Sequence, residues 1–338
     1  MDTTQLAVIA VALGLFFNFS NGFHDASNIV STIVSTRAMS LHKALMMTAT
    51  LVFVGSVTIG TSVARTIGGG IVRLDIVEPV DIVAAVTAAS AWNIITWVLA
   101  IPSSSSHALM GGLMGAAFHT GGVRAVHTES VIVIFLVIFA APPVGFACAW
   151  AVTRMIMGMF ADSHPAVAGR VLRRLQNVSA ALLALSHGAN DAQKTMGIIS
   201  MTFLVIARQN LPSASRAADA AEFGVPPWVI VTSSLALSLG MLVGAGRIIR
   251  TVGTRFFRIK PHHGLGATAA SSAVVYACTL LGFPVSTTHI ASSCVLGSGA
   301  AQRASAVRWA LARDIALTWI VTLPASGAIA YLLAALLE

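Results

Sequence analysis

The sequence predicts an all-α integral membrane protein with two inverted-topology repeats, each containing an interrupted helix and a re-entrant helical hairpin. The 338 residues are 56% hydrophobic and only 9% charged, and the mean hydropathy is +0.85, which is outside the usual range of soluble domains. Apolar runs such as residues 131–152 are long enough for the ~20-residue helix that crosses a bilayer. Two polar motifs also recur in the same order along the chain.

The apolar runs and the breaks between them predict the helices in order. In the first half we expect helices over residues 5–36, 44–64, 81–118 with a bend near 103–106, and 129–154. The second half repeats this order over residues 178–207, 226–247, 264–301 and 310–336. The predicted organisation is a first membrane repeat at 1–160, a cytoplasmic linker at 161–177 and a second, inverted repeat at 178–338.

Loop charges indicate how the halves are oriented. Each half has five predicted membrane passages when the hairpin arms count as two, and an odd number places the second half upside down relative to the first. Alternating the loops puts 14 of the 20 basic residues on one side and five on the other, with Lys194 inside the membrane. By the positive-inside rule, both termini are then extracytoplasmic in a multi-pass cell-membrane protein.

Composition also argues against several other classes. The net charge of +8 comes from basic residues between apolar segments without interleaved aromatics, so we expect the lipid bilayer and no nucleic acid as a partner. Cys148, Cys278 and Cys294 show no C-x-x-C spacing, so neither a metal site nor a disulfide framework is predicted, and no motif indicates a cofactor. The first apolar segment lacks a basic start and a small-residue cleavage motif, so we expect it to remain as a membrane helix.

The first repeated motif carries two carboxylates. FSNGFHDASN at 19–28 aligns with LSHGANDAQK at 185–194, so that Asp191 follows Asp25 by 166 residues. A carboxylate in an apolar helix costs ~2.5 kcal/mol or more and is retained for a function or beside a partner. We predict that Asp25 and Asp191 contact the substrate and take part in cation or proton coupling. A carboxylate that is simply satisfied by neighbouring helices is the alternative.

Other polar residues accompany these carboxylates, and oxygen-rich clusters of this kind can coordinate a hard cation or hold a proton. The amides predicted to share the coupling role are Asn21, Asn28, Asn190 and Gln193. Gly22 and Gly188 are expected to interrupt the two helices and to aim backbone groups at the same place. Lys194, whose repeat partner is Asn28, is a possible accessory residue that neutralises Asp191 or contacts the substrate.

The second repeated motif is a hydroxyl run after a proline, at 102–107 and again at 284–289. We expect each run at a helix N-terminus, where free backbone N–H groups, the helix dipole and the hydroxyls together bind a tetrahedral oxyanion. Ordinary N-capping is the alternative. The predicted anion-binding residues are Ser104, Ser105, Ser106, Ser286, Thr287 and Thr288. His107 and His289 follow at matched positions as possible accessory groups that donate to the anion, relay protons or simply pack.

These motifs resemble a known family. NGFHDASN, SHGANDAQKTMG and PVSTTH are similar to the signatures of the PiT inorganic phosphate transporter family, and residues 91–116 resemble its bacterial, low-affinity branch. The resemblance implies that inorganic phosphate is the substrate and that a homodimer is possible. It also places Asp25, Asn28, Asn190 and Asp191 in the cation and phosphate region, with the hydroxyl runs around phosphate.

One position departs from the family pattern and bears on the coupling ion. Animal sodium-coupled members carry an acidic residue before a GSV motif, where this chain has Val52. We therefore expect import of phosphate, free or as a metal–phosphate complex, by proton symport. A sodium-coupled symporter and a sulfate permease are the alternatives within the family.

Two further classes compete with a symporter. An anion channel would bind the same substrate but lack coupling. An intramembrane hydrolase would use the adjacent serines and histidines, but the chain has no G-x-S-x-G or H-E-x-x-H motif, so no enzyme is expected.

Overall fold

The computed structural model describes residues 2–99, 101, 103–209, 223–255 and 259–338. In these residues the only β contact is an isolated antiparallel bridge between Val72 and Val126, and the rest of the regular structure is helical. The α-helices are α1 Thr3–Ser35, α2 Leu41–Thr58, α3 Ser62–Gly69, α4 Pro79–Val98, α5 Ser105–Gly121, α6 Thr128–Met159, α7 Pro165–Gln209, α8 Pro227–Arg255, α9 Pro261–Leu280, α10 Thr287–Arg303 and α11 Trp309–Leu337. The all-α prediction is therefore confirmed.

Some of the sequence predictions involve residues outside the described ones. Pro102, which opens the first hydroxyl run, is one of them. Arg216 and Arg258, two of the basic residues in the loop-charge comparison, are the others.

The two motif helices are continuous, and this corrects the predicted interruption. Helix α1 passes through Gly22 and helix α7 through Gly188 without a break. The glycines serve a close crossing instead, because a Cβ on Gly22 would collide with the backbone of α8 at Leu237, and one on Gly188 would collide with the backbone of α2 at Val52. Without side chains at these positions the helices pack backbone to backbone, as small residues allow in membrane proteins.

Helix α7 also begins earlier than predicted. It starts at Pro165, so that the segment expected as a linker at 161–177 is helical over most of its length. The run RVLRRLQN consists largely of good helix formers, so the helix extends through it toward the N-terminus. The predicted second helix is also divided, into α2 and the short α3.

Each half contains a helical hairpin whose second arm begins in the hydroxyl run. Helix α4 leads to α5, and helix α9 leads to α10. Ser104 caps α5 by accepting from the His107 backbone N–H at 3.2 Å, and Ser286 caps α10 by accepting from the His289 N–H at 3.3 Å. The hydroxyl runs therefore lie at helix N-termini, as predicted.

The halves exchange packing partners, so that the centre of the molecule is formed by both. Helix α1 packs against α8 and helix α7 against α2. Likewise α5 packs against α11 and α6 against α10. Residues that are far apart in sequence therefore meet between the two motif helices.

Several helices are suited to a bilayer by length and composition. Those that qualify among the described residues lie at Thr3–Ser35, Leu41–Thr58, Pro79–Val98, Thr128–Met159 and Ala316–Leu337. Helix α7 does not qualify, because it carries the polar motif and a basic first third. Its motif residues are buried, so neighbouring helices rather than lipid surround them. The fold is that of a multi-pass membrane protein.

Candidate functional site

The centre of the site is a histidine between two carboxylates. The Nε2 atom of His187 lies 3.2 Å from an oxygen of Asp25 and 2.8 Å from an oxygen of Asp191. Asp25 belongs to α1 and the other two residues belong to α7, where His187 precedes Asp191 by one helical turn. All three side chains are buried, so their charges interact with little screening by water. The histidine joins the two motif helices.

Three oxygens surround the ammonium group of Lys194. Its Nζ donates to the Ser106 hydroxyl at 2.6 Å and to the Val285 carbonyl at 3.1 Å, and it forms an ion pair with Asp191. Lys194 is 1% exposed. A lysine this deeply buried keeps its charge only beside such partners. The second carboxylate is therefore paired with a fixed cation.

Neutral groups surround the first carboxylate on its other side. The Thr288 hydroxyl donates to Asp25 at 3.2 Å, and the Asn28 amide donates to the same oxygen at 3.2 Å and to the threonine hydroxyl at 3.0 Å. Within the described residues, His187 is the only basic side chain within ion-pair distance of Asp25. Asp25 and Asp191 thus differ in how their charge is balanced.

The tip of the second hairpin meets both carboxylates, and the tip of the first hairpin contacts it. Thr287 donates its hydroxyl to Asp191 at 2.8 Å, and Thr288, its neighbour, reaches Asp25. From the other hairpin, the Ser106 hydroxyl donates to the Val285 carbonyl at 2.8 Å, which links the two tips directly. Apart from the His107 and His289 amides, which donate to the capping serines, the first-turn N–H groups of α5 and α10 have no partner within their own helix.

The central cluster could also hold a metal ion. Asp25, His187 and Asp191 each place one potential ligand atom within 4.8 Å of the others. The Nε2 atom of His187, however, already lies within ion-pair distance of both carboxylates. The ammonium of Lys194 already supplies positive charge to one carboxylate, so the cluster holds together through its own side chains.

Comparison with known proteins identifies the family. The family model described as the phosphate transporter family matches residues 21–330. The chain belongs to the phosphate transporter family.

Individual relatives cover nearly the whole chain. A probable low-affinity inorganic phosphate transporter of Rhizobium meliloti (strain 1021) is 41% identical over 335 residues, which span 98% of this chain and 97% of the relative. A Bacillus subtilis (strain 168) protein with the same description is 39% identical over 336 residues, 96% of each chain. A solved structure described as the sodium-dependent phosphate transporter shares the fold, with a TM-score of 0.85, 21% identity and coverage of 98% of this chain and 99% of its own. The family and these relatives are transporters rather than enzymes.

Within this member of the phosphate transporter family, two predicted coupling amides are used to fix neighbouring segments. Asn190 donates to the Thr279 hydroxyl at 3.0 Å and the Phe283 carbonyl at 3.1 Å, and its oxygen accepts from the Val285 N–H at 3.3 Å. It therefore holds the turn that precedes α10. The oxygen of Gln193 accepts from the Val63 N–H at 2.8 Å and so fixes the start of α3.

The matched histidines of the two hairpins pack against each other instead of reaching the carboxylates. The rings of His107 and His289 have centroids 4.6 Å apart, and His289 stacks on Trp319 at 3.7 Å. Both histidines are buried. This contact joins the hairpins one turn behind their tips.

Sequence reasoning missed three polar residues at the site. His187 is the most important, and its position one turn before Asp191 was a signal, because residues i and i+4 share a helix face. The other two residues are His24 and Asn93, which contact each other: His24 Nε2 lies 2.9 Å from the Asn93 carbonyl. Asn93 lies on α4 outside either repeated motif, so no sequence pattern marked it.

Proposed function

We propose that this chain imports inorganic phosphate by proton symport. The observation that carries the proposal is the meeting of the α10 N-terminus with two buried carboxylates, through Thr288 and Asp25 and through Thr287 and Asp191. The α5 N-terminus lies beside it, because Ser106 contacts Val285 and Lys194. N–H groups and hydroxyls at helix N-termini are an anion site that needs no arginine. Carboxylates in the same space repel an anion unless a proton or cation binds with it. This repulsion couples the two ligands.

The coupling operates through the charge of the site. With His187 neutral, Asp25 and Asp191 exceed the charge of Lys194 by one negative charge. A proton taken up by the cluster removes that excess and favours phosphate at the N-termini of α5 and α10. By linkage, bound phosphate raises the affinity of the site for the proton by the same factor. Phosphate also has a proton of its own to donate to a carboxylate, which fully ionised sulfate lacks.

Sodium coupling is the second candidate, and the fold neighbour with the sodium-dependent description favours it. The apolar residue Val52 favours proton coupling over sodium coupling. This apolar residue is buried on α2 with its backbone against Gly188, next to His187. The acidic residue that the family resemblance associates with sodium coupling is therefore replaced close to the site.

We also propose that the two halves are inverted in the membrane, with both termini extracytoplasmic. Matched contacts support this arrangement. Lys194 donates to Ser106 of the opposite half, and its repeat partner Asn28 donates to Thr288, the repeat partner of Ser106. The close crossings of α1 with α8 and of α7 with α2 also use matched glycines.

Purified protein in liposomes tests the function. Labelled phosphate should accumulate against its gradient when the outside is made more acidic than the inside, because protons entering with phosphate drive uptake inward. A sodium gradient alone should produce no accumulation, and excess sulfate should compete weakly. Downhill flux without accumulation under either gradient would identify a channel. Accumulation driven only by sodium would replace the proton proposal with the sodium one.

A further inference from the structure

The environment of Lys194 is that of a bound hard cation. Its ammonium contacts a carboxylate of Asp191, the hydroxyl of Ser106 and the backbone carbonyl of Val285. Oxygen donors of these three kinds, at the end of a helical hairpin, are the set that transporters use to coordinate an alkali ion. Here a covalently attached ammonium takes the place of the ion.

The matching position in the first half has no such cation. Asn28 aligns with Lys194 and Asn21 aligns with His187, so two neutral amides replace the two basic groups of α7. Asn28 contacts Thr288 and Asp25, which are the counterparts of Ser106 and Asp191. The carboxylate and the hydroxyl of the oxygen set are therefore repeated, whereas the charged side chain is not.

The first half also contains buried polar atoms that lack partners. Among the described residues, neither amide atom of Asn21 or Asn93 has a hydrogen-bond partner, and the same holds for Nδ1 of His24. These side chains are 1%, 1% and 5% exposed. Buried polar groups in proteins are normally paired, and those that are not indicate water or a ligand. Asn21 precedes Asp25 by one turn of α1 and His24 directly precedes it, so two of these three side chains lie on the helix turn that carries the first carboxylate.

We propose that Lys194 is a tethered cation that permanently fills the second-half cation position, and that the exchangeable coupling cation binds at Asp25 alone. This proposal rests on the symport function proposed above. The groups that face Asp25 are His187 of α7, Asn28 of α1 and Thr288 of α10, with His24 on the same helix. Lys194 is thus a specificity-determining residue that keeps alkali ions out of the second position.

Sodium binding to the purified protein tests this directly and needs no transport. Lys194→Asn places an asparagine at the position that Asn28 occupies in the first motif. It also removes the ammonium, so that the oxygens of Asp191, Ser106 and Val285 become available to a sodium ion. Its thermal unfolding midpoint should rise by about 2 °C or more when sodium chloride replaces choline chloride at constant ionic strength. The wild type and Lys194→Arg, which keep a cation in place, should show no such rise.

Two results would overturn the proposal. One is a sodium-dependent rise in the wild type equal to that of Lys194→Asn. The other is a folded Lys194→Asn variant, eluting as the wild type does on size exclusion, without a sodium response. Both results concern binding, so they are distinct from a failure of symport in liposomes.

A reciprocal variant decides the matter if Lys194→Asn does not fold. Asn28→Lys places a second ammonium beside Asp25, so uphill phosphate uptake under a pH gradient should fall at least tenfold in protein that unfolds at the wild-type temperature. Uphill uptake at the wild-type rate would show that Asp25 does not exchange the cation. Asn28→Gln, which keeps the site neutral, is the matched control and should retain more uptake than Asn28→Lys.

Discussion

The two repeated motifs lie on helices with matched close crossings but have different side-chain contacts. In the second motif, His187, Asn190, Asp191 and Lys194 all have partners in neighbouring helices or turns. In the first, Asp25 shares His187 with Asp191 and otherwise contacts the neutral Asn28 and Thr288, and the Asn21 amide has no partner within the described residues. Two basic residues in place of two amides thus give the second motif more charged contacts than the first, and the proposal that the first motif accepts the ligand rests on this difference.

The largest expected effect is at Asp25. Asp25→Asn should lower uphill phosphate uptake in liposomes about 100-fold or more, because it removes the carboxylate that exchanges the proton. Asp75→Asn is the control: Asp75 lies in a loop, pairs with Arg73 at 3.1 Å and is about half exposed, so its loss should leave uptake unchanged. Uphill uptake by Asp25→Asn at the wild-type rate would contradict the proposal that the first motif carries the exchanging carboxylate.

The second-largest effect is a loss of stability, which should be larger for Asp191→Asn than for Asp25→Asn. Asp191→Asn leaves the buried ammonium of Lys194 without its carboxylate, which should lower the free energy of unfolding by about 3 kcal/mol. Asp25→Asn should cost less, because Thr288 and Asn28 remain able to pair with an amide. Thermal unfolding in one detergent compares the two. The double variant Asp191→Asn with Lys194→Met should recover part of the loss, and equal midpoints for the single variants would contradict the asymmetry.

A smaller effect is expected at the hairpin tips. Thr288→Val keeps the volume of the side chain but removes its hydroxyl, so the KM for phosphate should rise about tenfold, as the loss of one hydrogen bond to a charged group would cause. Ser106→Ala should raise the KM similarly and also lower stability, since this hydroxyl contacts Lys194. A raised KM without the loss of stability for Ser106→Ala would mean that the lysine contact contributes little.

The smallest expected effect is on stability at Asn21. Its amide makes no hydrogen bond to any described residue, so Asn21→Ala should change the free energy of unfolding by less than about 0.5 kcal/mol. The matched variant His187→Ala should destabilise more strongly, because both carboxylates lose a partner. A destabilisation by Asn21→Ala as large as that of His187→Ala would show that the first motif is also a scaffold.

Prediction from the sequence succeeded for features that depend on one stretch of chain, such as a helix or its N-terminus. The apolar runs located most helices, and the hydroxyl runs located the N-termini capped by Ser104 and Ser286. It failed at Gly22 and Gly188, because a glycine that interrupts a helix and one that allows a close crossing look alike until the partner helix is known. His187 was missed for a similar reason, since only one of its two carboxylates lies in its own helix.

By itself, the sequence determined the all-helical membrane class, the repeated motifs and their matched carboxylates, because hydropathy and repetition are properties of the chain. Only the tertiary structure decided which groups contact each carboxylate and offset its charge. Ser106 and Val285, which hold the Lys194 ammonium, are about 90 residues away from it on either side. Thr288, which holds Asp25, is 263 residues away. Such contacts depend on distances of a few ångströms between packed helices, and these follow from the fold rather than from local sequence.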